Sequence, residues 1–440
     1  MFVFCTLYSI LCYTCIHMSL SSIRKRISKS LGPGVVTGIA DDDPSGIATY
    51  AQTGAIFGLS QLWLTVYSLP LMIAVQEMCA RIGMTTGKGL AGVIKSHYSK
   101  KLLLSAVVLL SIANIINIGA DLGAMGQATS LISPLSFGIS LILITVFTLA
   151  SSILIPYHIY AKILKYFAAT VLSYIVVAFF VKQDWGAITF AMFVPHLEWN
   201  KEFLLNVTAF LGTTISPYLF FWQADEEVEE EIEAKKITAF GKGRPKISEE
   251  DIKQMRADTV TGMFLSNLVA FFIIITASGT LAVGGSNTIT SAAELAEALR
   301  PLAGDFAVYL FAFGILGTGL LAIPVLAGAI AYAVAETFNL PLGLSKTFKQ
   351  AVGFYGVLSI SILVGVLLNF IEIDPILMLY YAAAVNGILA APLLVIILFV
   401  ANNKKILGDK VNGKLSNTLV IITTVIMALI SLFTIESFFR

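Results

Sequence analysis

The sequence is poor in charge. Only 12% of its 440 residues are Asp, Glu, Lys or Arg, whereas 57% are apolar. Soluble domains carry roughly a quarter charged residues, because charged side chains keep a folded surface in contact with water. This shortage excludes a soluble enzyme, a nucleic-acid-binding module or a disordered scaffold as the main body of the chain. The composition therefore predicts an all-α membrane protein with many apolar spans.

Cysteine and histidine are also scarce, with four of each. Cys5, Cys12 and Cys15 lie within the N-terminal segment and Cys79 lies in an apolar span, so the sequence predicts no disulfide framework. Cys12, Cys15 and His17 resemble half of a metal site, but they lack a second pair of ligands. We expect neither an enzyme nor a bound cofactor.

Apolar runs separated by charged or turn-forming residues predict eleven transmembrane helices. They lie near residues 33–57, 61–82, 103–129, 138–155, 164–181, 203–223, 258–283, 303–335, 352–371, 376–401 and 416–435. Residues 1–30 precede the first span. Residues 1–17 have the character of a misassigned start or a dispensable extension, because a more ordinary polar segment follows Met18.

Basic residues are distributed unevenly between these spans. With the N-terminus in the cytoplasm, 24 of the 28 Lys and Arg residues fall in cytoplasmic segments. The positive-inside rule therefore predicts eleven spans with a cytoplasmic N-terminus. We expect a monomer in the plasma membrane, surrounded by lipid.

The first span contains residues that a continuous lipid-facing helix would not use. Asp41, Asp42 and Asp43 lie near its middle and are followed directly by Pro44. A carboxylate at the bilayer centre costs about 3 kcal/mol, and proline removes a backbone donor and clashes with the preceding turn. The pattern predicts a helix broken at these residues, with the break facing protein, water or an ion.

The sixth span has a second interruption, in which Thr213, Thr214 and Ser216 follow Gly212 and precede Pro217. The two interrupted spans are five spans apart, so they cross the membrane in opposite directions. This spacing is typical of a five-plus-five inverted repeat, in which two broken helices meet near the midplane and bind the substrate. The repeats are predicted at residues 31–182 and 183–402, and a loop with an eleventh helix at 403–440.

If both interruptions line one cavity, its ligands are all oxygens. They are the Asp43 carboxylate with Asp41 and Asp42 beside it, the hydroxyls of Thr213, Thr214 and Ser216, and unpaired main-chain carbonyls near Ala40 and Thr213. Hard cations such as Mg²⁺, Mn²⁺ and Ca²⁺ prefer oxygen ligands. Asp43 precedes a proline, where helical conformation is disfavoured, so we expect it to reach the ion. Asp41 and Asp42 either line the path or cap the first half-helix.

Several short motifs, taken in order, resemble the Nramp divalent-metal transporters. The motifs are Gly32-Pro33-Gly34, Asp43-Pro44-Ser45-Gly46, Ala51-Gln52-Thr53-Gly54-Ala55 and Thr86-Gly87-Lys88. The likeness extends from about residue 31 to residue 410. It implies a LeuT-like fold and the import of divalent metal ions into the cytoplasm, usually together with protons.

The sequence departs from this family at the residues expected to bind metal and move protons. Gly46 stands in place of a metal-binding asparagine, while Ser216 and Tyr218 replace a metal-binding methionine and a histidine implicated in proton movement. In the third span Asp121 is retained, but Ala124 replaces a glutamate linked to protons. The resemblance thus implies a metal site formed by Asp43, Gly46, Ala40, Thr213 and Ser216, with Tyr218 beside it.

These departures resemble the Nramp-related magnesium transporters, which carry Mg²⁺ and Mn²⁺ without proton coupling. Loss of the thioether removes the preference for softer metals, and loss of the asparagine leaves room for an ion with part of its water shell. We therefore expect uncoupled import of Mg²⁺ and Mn²⁺ by alternating access. The alternatives are a proton-coupled Mn²⁺/Fe²⁺ importer, a Na⁺-coupled carrier of small solutes, and a membrane metal sensor acting through loop 224–257.

Other polar residues lie within the spans. Asn114, Asn117 and Asp121 share one face of the third span, where they either line a hydrophilic path or hydrogen-bond between helices. Asn386 in the tenth span is a candidate to approach the site.

Three further patterns are structural. Glu77 and Arg81 are spaced as an i,i+4 ion pair. The glycines between 314 and 319 predict close helix packing. The acidic run 225–231 that opens loop 224–257 predicts a solvated helix end followed by a flexible linker.

Overall fold

A computed structural model describes residues 32–155, 169–281, 289, 291–370 and 373–439. This part of the chain forms eighteen α-helices and contains no β-strand, which confirms the all-α prediction. In chain order the helices are α1 (Pro33–Asp41), α2 (Pro44–Phe57), α3 (Trp63–Thr86), α4 (Leu90–His97), α5 (Lys100–Ile132), α6 (Phe137–Leu154), α7 (Ser173–Phe180), α8 (Trp185–Phe193), α9 (Lys201–Thr214), α10 (Pro217–Glu233), α11 (Glu249–Thr280), α12 (Ala292–Glu297), α13 (Arg300–Ala303), α14 (Ala307–Phe338), α15 (Val352–Leu367), α16 (Pro375–Ala401), α17 (Lys404–Leu407) and α18 (Lys414–Phe439).

Nine helical segments among the described residues are long and apolar enough to cross a membrane. The predicted first span appears as the two shorter helices α1 and α2. The predicted fifth span and the N-terminal segment, with its Cys12, Cys15 and His17, lie wholly or partly outside the described residues. The apolar spans are thus present, whereas the count of eleven stays a prediction.

Both predicted helix breaks are present. The helix α1 ends at Asp41, and Asp43 is extended (φ −69°, ψ 171°) before Pro44 begins α2. The Asp43 side chain caps α2 by accepting a hydrogen bond from the Gly46 N–H at 2.7 Å. At the second break, Ile215 and Ser216 separate α9 from α10, which again begins with a proline, Pro217. In each case proline is tolerated because the first turn of a helix needs no N–H from it.

Glycines bring the main chains of neighbouring helices into contact around both breaks. A Cβ atom at Gly38 in α1 would overlap the main chain of Gly262 in α11. Likewise, a Cβ at Gly212 in α9 would overlap the main chain of α16 at Gly387. These contacts fix α1 against α11 and α9 against α16, so that both helix breaks are held in the interior.

The acidic run 225–231 differs from the prediction of a solvated helix end. It continues α10 as far as Glu233 and is not a solvated helix end, because Asp225, Glu227, Glu229 and Glu231 are all buried. The Glu229 carboxylate accepts hydrogen bonds from the Tyr332 hydroxyl at 2.7 Å, the Leu344 N–H at 3.1 Å and the Ser345 hydroxyl at 3.0 Å. Only residues 234–248 of the predicted loop connect α10 to α11.

The pair predicted in α3 is part of a larger ion cluster. The Glu77 carboxylate accepts hydrogen bonds from Arg81, four residues later, and from Arg256 of α11 at 2.7 Å. Glu77 and Arg81 are both buried. The cluster joins the ends of α3 and α11 and has a structural role.

Candidate cation site

The two helix breaks lie side by side in the interior. The Tyr218 hydroxyl in the first turn of α10 donates a hydrogen bond to the Ala40 carbonyl of α1 at 2.8 Å. Thr213, in the last turn of α9, lies beside Gly46 in the first turn of α2. Four helix ends therefore meet at one place, as the inverted-repeat pattern predicts.

The absence of a side chain at Gly46 leaves a space bordered by oxygen atoms. A Cβ atom built there would lie 3.2 Å from the Asp41 main-chain carbonyl, 3.2 Å from the Thr213 Oγ1 and 3.4 Å from the Asp43 Oδ1. These three oxygens belong to both breaks. A carbonyl, a hydroxyl and a carboxylate together form the kind of ligand set that hard divalent cations prefer.

Asp43 is the centre of a hydrogen-bonded network that joins three helices. One carboxylate oxygen accepts hydrogen bonds from the Ser45 hydroxyl and the Gly46 N–H, both at 2.7 Å. The other accepts from the Asn117 side-chain amide of α5 at 2.7 Å. The same amide lies 3.2 Å from Asp121, and the Asn117 side-chain oxygen accepts from Asn386 of α16 at 3.1 Å. The structure thus brings Asn117, Asp121 and Asn386 to the site.

The other two carboxylates of the triplet face α11. The Ser266 hydroxyl lies 2.6 Å from Asp41 Oδ2 and 3.2 Å from Asp42 Oδ1. Asp42 is the more accessible of the two, at 8% exposed, whereas Asp41 is fully buried. They lie next to the site at the end of α1, where Asp42 occupies the C-cap position.

The site brings together four buried carboxyl groups that have no basic partner among the described residues. Asp41, Asp42, Asp43 and Asp121 are all buried, and none forms an ion pair with a basic residue in the part of the chain that the structure describes. Within the same residues, Asp41 Oδ1, Asp121 Oδ1 and Asn386 Oδ1 have no hydrogen-bond partner. Buried carboxylates are stable only when they are paired, protonated or bound to a cation.

Two main-chain carbonyls that the sequence predicts to be unpaired are hydrogen-bonded in the structure. The carbonyls of Ala40 and Thr213 are not unpaired, because they accept hydrogen bonds from the Tyr218 hydroxyl at 2.8 Å and the Ser216 hydroxyl at 2.8 Å. The Ser216 hydroxyl also lies 2.6 Å from the Gly212 carbonyl, so its proton is directed into α9. Of the five predicted metal-binding residues, Asp43, Gly46 and Thr213 border the oxygen-lined space directly.

Asn114 does not join this network. Its side-chain amide donates a hydrogen bond to the Leu326 carbonyl of α14 at 2.9 Å, which is a contact between helices. Two groups that the sequence reasoning missed do take part, namely the Asp41 main-chain carbonyl and the Ser266 side chain. Ser266 was detectable as a polar residue inside an apolar span, whereas the direction of a carbonyl depends on how the helix ends.

The described residues contain no group of three His, Cys, Asp or Glu side chains arranged to hold a metal ion. A cation at Gly46 would therefore have one carboxylate, Asp43, supplemented by neutral oxygens and water. Such a mixed set is suited to an ion that must bind and leave again.

Comparison with known proteins gives a consistent result. The divalent metal cation transporter MntH of Yersinia pestis is 27% identical over 417 residues, covering 92% of this chain and 94% of the relative. MntH of Pectobacterium carotovorum is 25% identical over 409 residues, covering 90% and 91%.

Solved structures show the same fold. The manganese transporter of Eremococcus coleocola, in complex with an aromatic bis-isothiourea substituted compound, superposes with a TM-score of 0.71 at 17% identity, covering 92% of this chain and 86% of that one. Mhp1, a nucleobase-cation-symport-1 family transporter, gives a TM-score of 0.59 at 15% identity, covering 93% and 92%. These likenesses confirm the predicted LeuT-like fold. Residues 34–437 match the Natural resistance-associated macrophage protein-like (Nramp) family, and the chain therefore belongs to that family.

Proposed function

We propose that this protein transports divalent metal cations across the plasma membrane into the cytoplasm by alternating access, with Mg²⁺ as cargo and Mn²⁺ also carried. The relatives named divalent metal cation transporters support the general class. The observation that carries the proposal is the space beside Gly46, where the three nearest atoms to a Cβ position are the oxygens of Asp41, Thr213 and Asp43. An all-oxygen border favours hard cations over softer transition metals.

The same space supports a preference for a partly hydrated ion. Mg²⁺ keeps several waters in most protein sites and binds through one or two carboxylates. Here Asp43 is the one carboxylate among the three oxygens nearest to the Gly46 Cβ position, so an ion bound there would take its other ligands from neutral oxygens and water. Mn²⁺ accepts the same oxygen ligands, so we expect it to compete with Mg²⁺ for the site.

We further propose that transport is not coupled to protons. The positions at which the family resemblance implies a histidine and a glutamate hold Tyr218 and Ala124. The Tyr218 hydroxyl is engaged with the Ala40 carbonyl, and Ala124 has no group that exchanges a proton. Asp121 remains in the network, where it accepts a hydrogen bond from Asn117, which also donates to Asp43. We propose that the role of Asp121 is to keep this hydrogen-bonded network in place.

The proposal is tested with purified protein in liposomes that contain a metal-sensitive dye and, separately, a pH-sensitive dye. We expect Mn²⁺ to enter, Mg²⁺ to compete with it, and the lumen pH to stay constant while a membrane potential drives uptake. The Asp43→Ala variant should be folded and inactive. Proton movement in proportion to metal would refute the uncoupled mechanism, and unaltered flux in Asp43→Ala would refute the site.

A second candidate is proton-coupled Mn²⁺ import. Its ion is the one in the name of the E. coleocola manganese transporter, and proton coupling is what the family resemblance implies. The two candidates differ in one measurement, the change in lumen pH during uptake. Because of the uncompensated carboxylates, carriage of an anionic organic solute by a Na⁺-coupled mechanism is a weaker candidate.

A further inference from the structure

A cavity of about 770 Å³ lies away from the helix breaks, at the far ends of α10 and α14. Its wall is formed by α4 with the residues before it, by the last turns of α10 and α14, and by the connections 234–248 and 339–351 that follow those two helices. The positive-inside pattern predicts that these segments face the cytoplasm. Binding sites for small molecules measure roughly 300–1,000 Å³, so the cavity has the size of a ligand site.

Four lysines from three of these segments line the cavity, namely Lys88, Lys95, Lys242 and Lys346. None of them forms an ion pair in the part of the chain that the structure describes. The Lys88 ammonium donates to the Ser96 hydroxyl at 2.8 Å. The Lys95 ammonium donates to the Glu336 main-chain carbonyl at 2.9 Å and to the Asn339 side chain at 2.7 Å. These acceptors are neutral, so the bonds orient the two lysines without neutralising them.

Two carboxylates also border the cavity, but their oxygens already accept hydrogen bonds from other groups. Glu336 accepts from the Gly89 N–H at 2.8 Å and the Gly92 N–H at 2.7 Å. Glu229 accepts from the three donors described above for the acidic run. Even with both carboxylates ionised, four lysines against two glutamates leave the wall with an excess of two positive charges.

A smaller cavity of about 250 Å³ adjoins the first and continues its basic lining. The two cavities share Lys88, Ser96 and Gly241, and the smaller one adds Arg244. The Arg244 guanidinium donates to the Ile406 main-chain carbonyl at 3.2 Å, which is again a neutral acceptor. A lining of this sign attracts anions and repels metal cations, so the two cavities are suited to an anionic ligand.

The rest of the wall of the larger cavity is partly apolar. Its large apolar side chains, all half-buried, are those of Ile232, Phe240, Leu340 and Leu342. The Phe240 ring stacks on Tyr332 with 5.5 Å between the ring centroids and 28° between their planes, which holds the ring in one orientation. A bare inorganic anion would make no use of such a wall, whereas an organic anion would lay its ring against it.

We infer that this cavity binds a soluble organic phosphate of the nucleotide class, with the phosphates held by the four lysines and the ring placed against Phe240. Lysine ammonium groups bind phosphate as point charges. An anionic lipid headgroup carries the same phosphate chemistry, but the wall of this cavity consists of helix ends and connections predicted to lie in the cytoplasm, which favours a soluble ligand. The inference holds whichever ion the protein carries.

The site is tested by equilibrium dialysis of radiolabelled ATP against the full-length protein in nanodiscs of neutral lipid. EDTA is present, so that ATP cannot bind through a metal ion at the helix breaks. We expect one ATP per chain, with an affinity that falls as salt screens the lysines. Unlabelled tripolyphosphate, which lacks the ring, should compete roughly 10-fold more weakly than unlabelled ATP.

A matched pair of variants changes the charge of the wall without removing a lysine. Thr238 is exposed and lines the cavity. Thr238→Glu should weaken ATP binding about 10-fold by adding a negative charge, whereas Thr238→Gln, which has the same size, should bind ATP as the wild type does.

Three further variants separate the phosphate contacts from the ring contact. Lys88→Gln should weaken ATP and tripolyphosphate alike, each about 10-fold. Phe240→Leu should weaken ATP and leave tripolyphosphate unchanged. Lys349→Gln is the control, because Lys349 is exposed in the same connection as Lys346 and does not line the cavity. Folding is checked by size-exclusion chromatography and thermal unfolding.

The outcomes are distinct. Wild-type ATP binding in both Thr238→Glu and Lys88→Gln would place ATP elsewhere and overturn the inference. A second set of nanodiscs contains phosphatidylglycerol. If ATP does not bind in neutral lipid, while phosphatidylglycerol is retained by the purified wild type and lost from Thr238→Glu, the occupant is a lipid headgroup and the inference is wrong.

Discussion

The space beside Gly46 permits a sharp test, which is to fill it with one methyl group. In Gly46→Ala, the added carbon would lie 3.2 Å from both the Asp41 carbonyl and Thr213 Oγ1, and 3.4 Å from Asp43 Oδ1. These distances are tight but do not overlap main-chain atoms, so we expect the helix to form. Mg²⁺ binds oxygen at about 2.1 Å, and an ion that contacts all three oxygens would therefore be in contact with the methyl group.

The displaced ion keeps the Asp43 carboxylate and loses the two neutral oxygens. If each contact between the ion and a neutral oxygen is worth about 1.5 kcal/mol, as for a hydrogen bond to a charged group, losing both contacts weakens metal binding by about 3 kcal/mol. That corresponds to a rise of roughly 150-fold in Kd. The assay is Mn²⁺ uptake into liposomes with Mg²⁺ competition, from which KM is measured at several metal concentrations.

A matched control is available in α15. A Cβ atom at Gly356 would meet no atom within 4 Å, so Gly356→Ala introduces the same methyl group into a membrane helix without touching the site. We expect this variant to transport as the wild type does. Equal KM values for Gly46→Ala and Gly356→Ala would refute the placement of the ion beside Gly46.

Three other substitutions test the network and its supports. Asn117→Ala removes the amide that donates to Asp43 at 2.7 Å, a charge-assisted bond worth about 2 kcal/mol, so KM in the uptake assay should rise roughly 30-fold; no change would mean that the amide does not position the carboxylate. Glu77→Ala leaves Arg81 buried without its partner and should destabilise the protein by about 3 kcal/mol in thermal unfolding, while flux per folded molecule is retained. Ser266→Ala removes a hydroxyl that donates to Asp41 at 2.6 Å and lies 3.2 Å from Asp42, and it should lower the stability of the metal-free protein by about 1.5 kcal/mol; an unchanged unfolding transition would count against the bond.

The helix breaks were predictable because their causes are local. A proline preceded by an aspartate or a serine terminates one helix and begins another whatever surrounds it. Asp43 and Ser216 occupy this position before Pro44 and Pro217. Hydropathy and the spacing of the two breaks then fix which helices meet, and the LeuT-like fold follows from that.

The partners of individual groups were not predictable, because they come from distant parts of the chain. The acidic residue Glu229 lies in a run that is typical of a surface, yet its donors Tyr332, Leu344 and Ser345 are more than a hundred residues away. The Ala40 carbonyl was expected to be free for an ion, but a hydroxyl from the other repeat, that of Tyr218, reaches it first. Charge patterns along a sequence therefore indicate the number of ionisable groups and leave their surroundings undetermined.

If the cargo binds at the helix breaks as proposed, the four buried carboxylates there also link the stability of the protein to the concentration of that cargo. Asp41, Asp42, Asp43 and Asp121 have no basic residue paired with them in the described structure. An ion that binds the folded chain and not the unfolded chain stabilises it by mass action, by about 2.7 kcal/mol when its concentration is 100 times Kd. Under the proposed function, the transported metal would therefore also act as a folding ligand, and a cell starved of it would hold a less stable population of the transporter at the time when uptake is needed most.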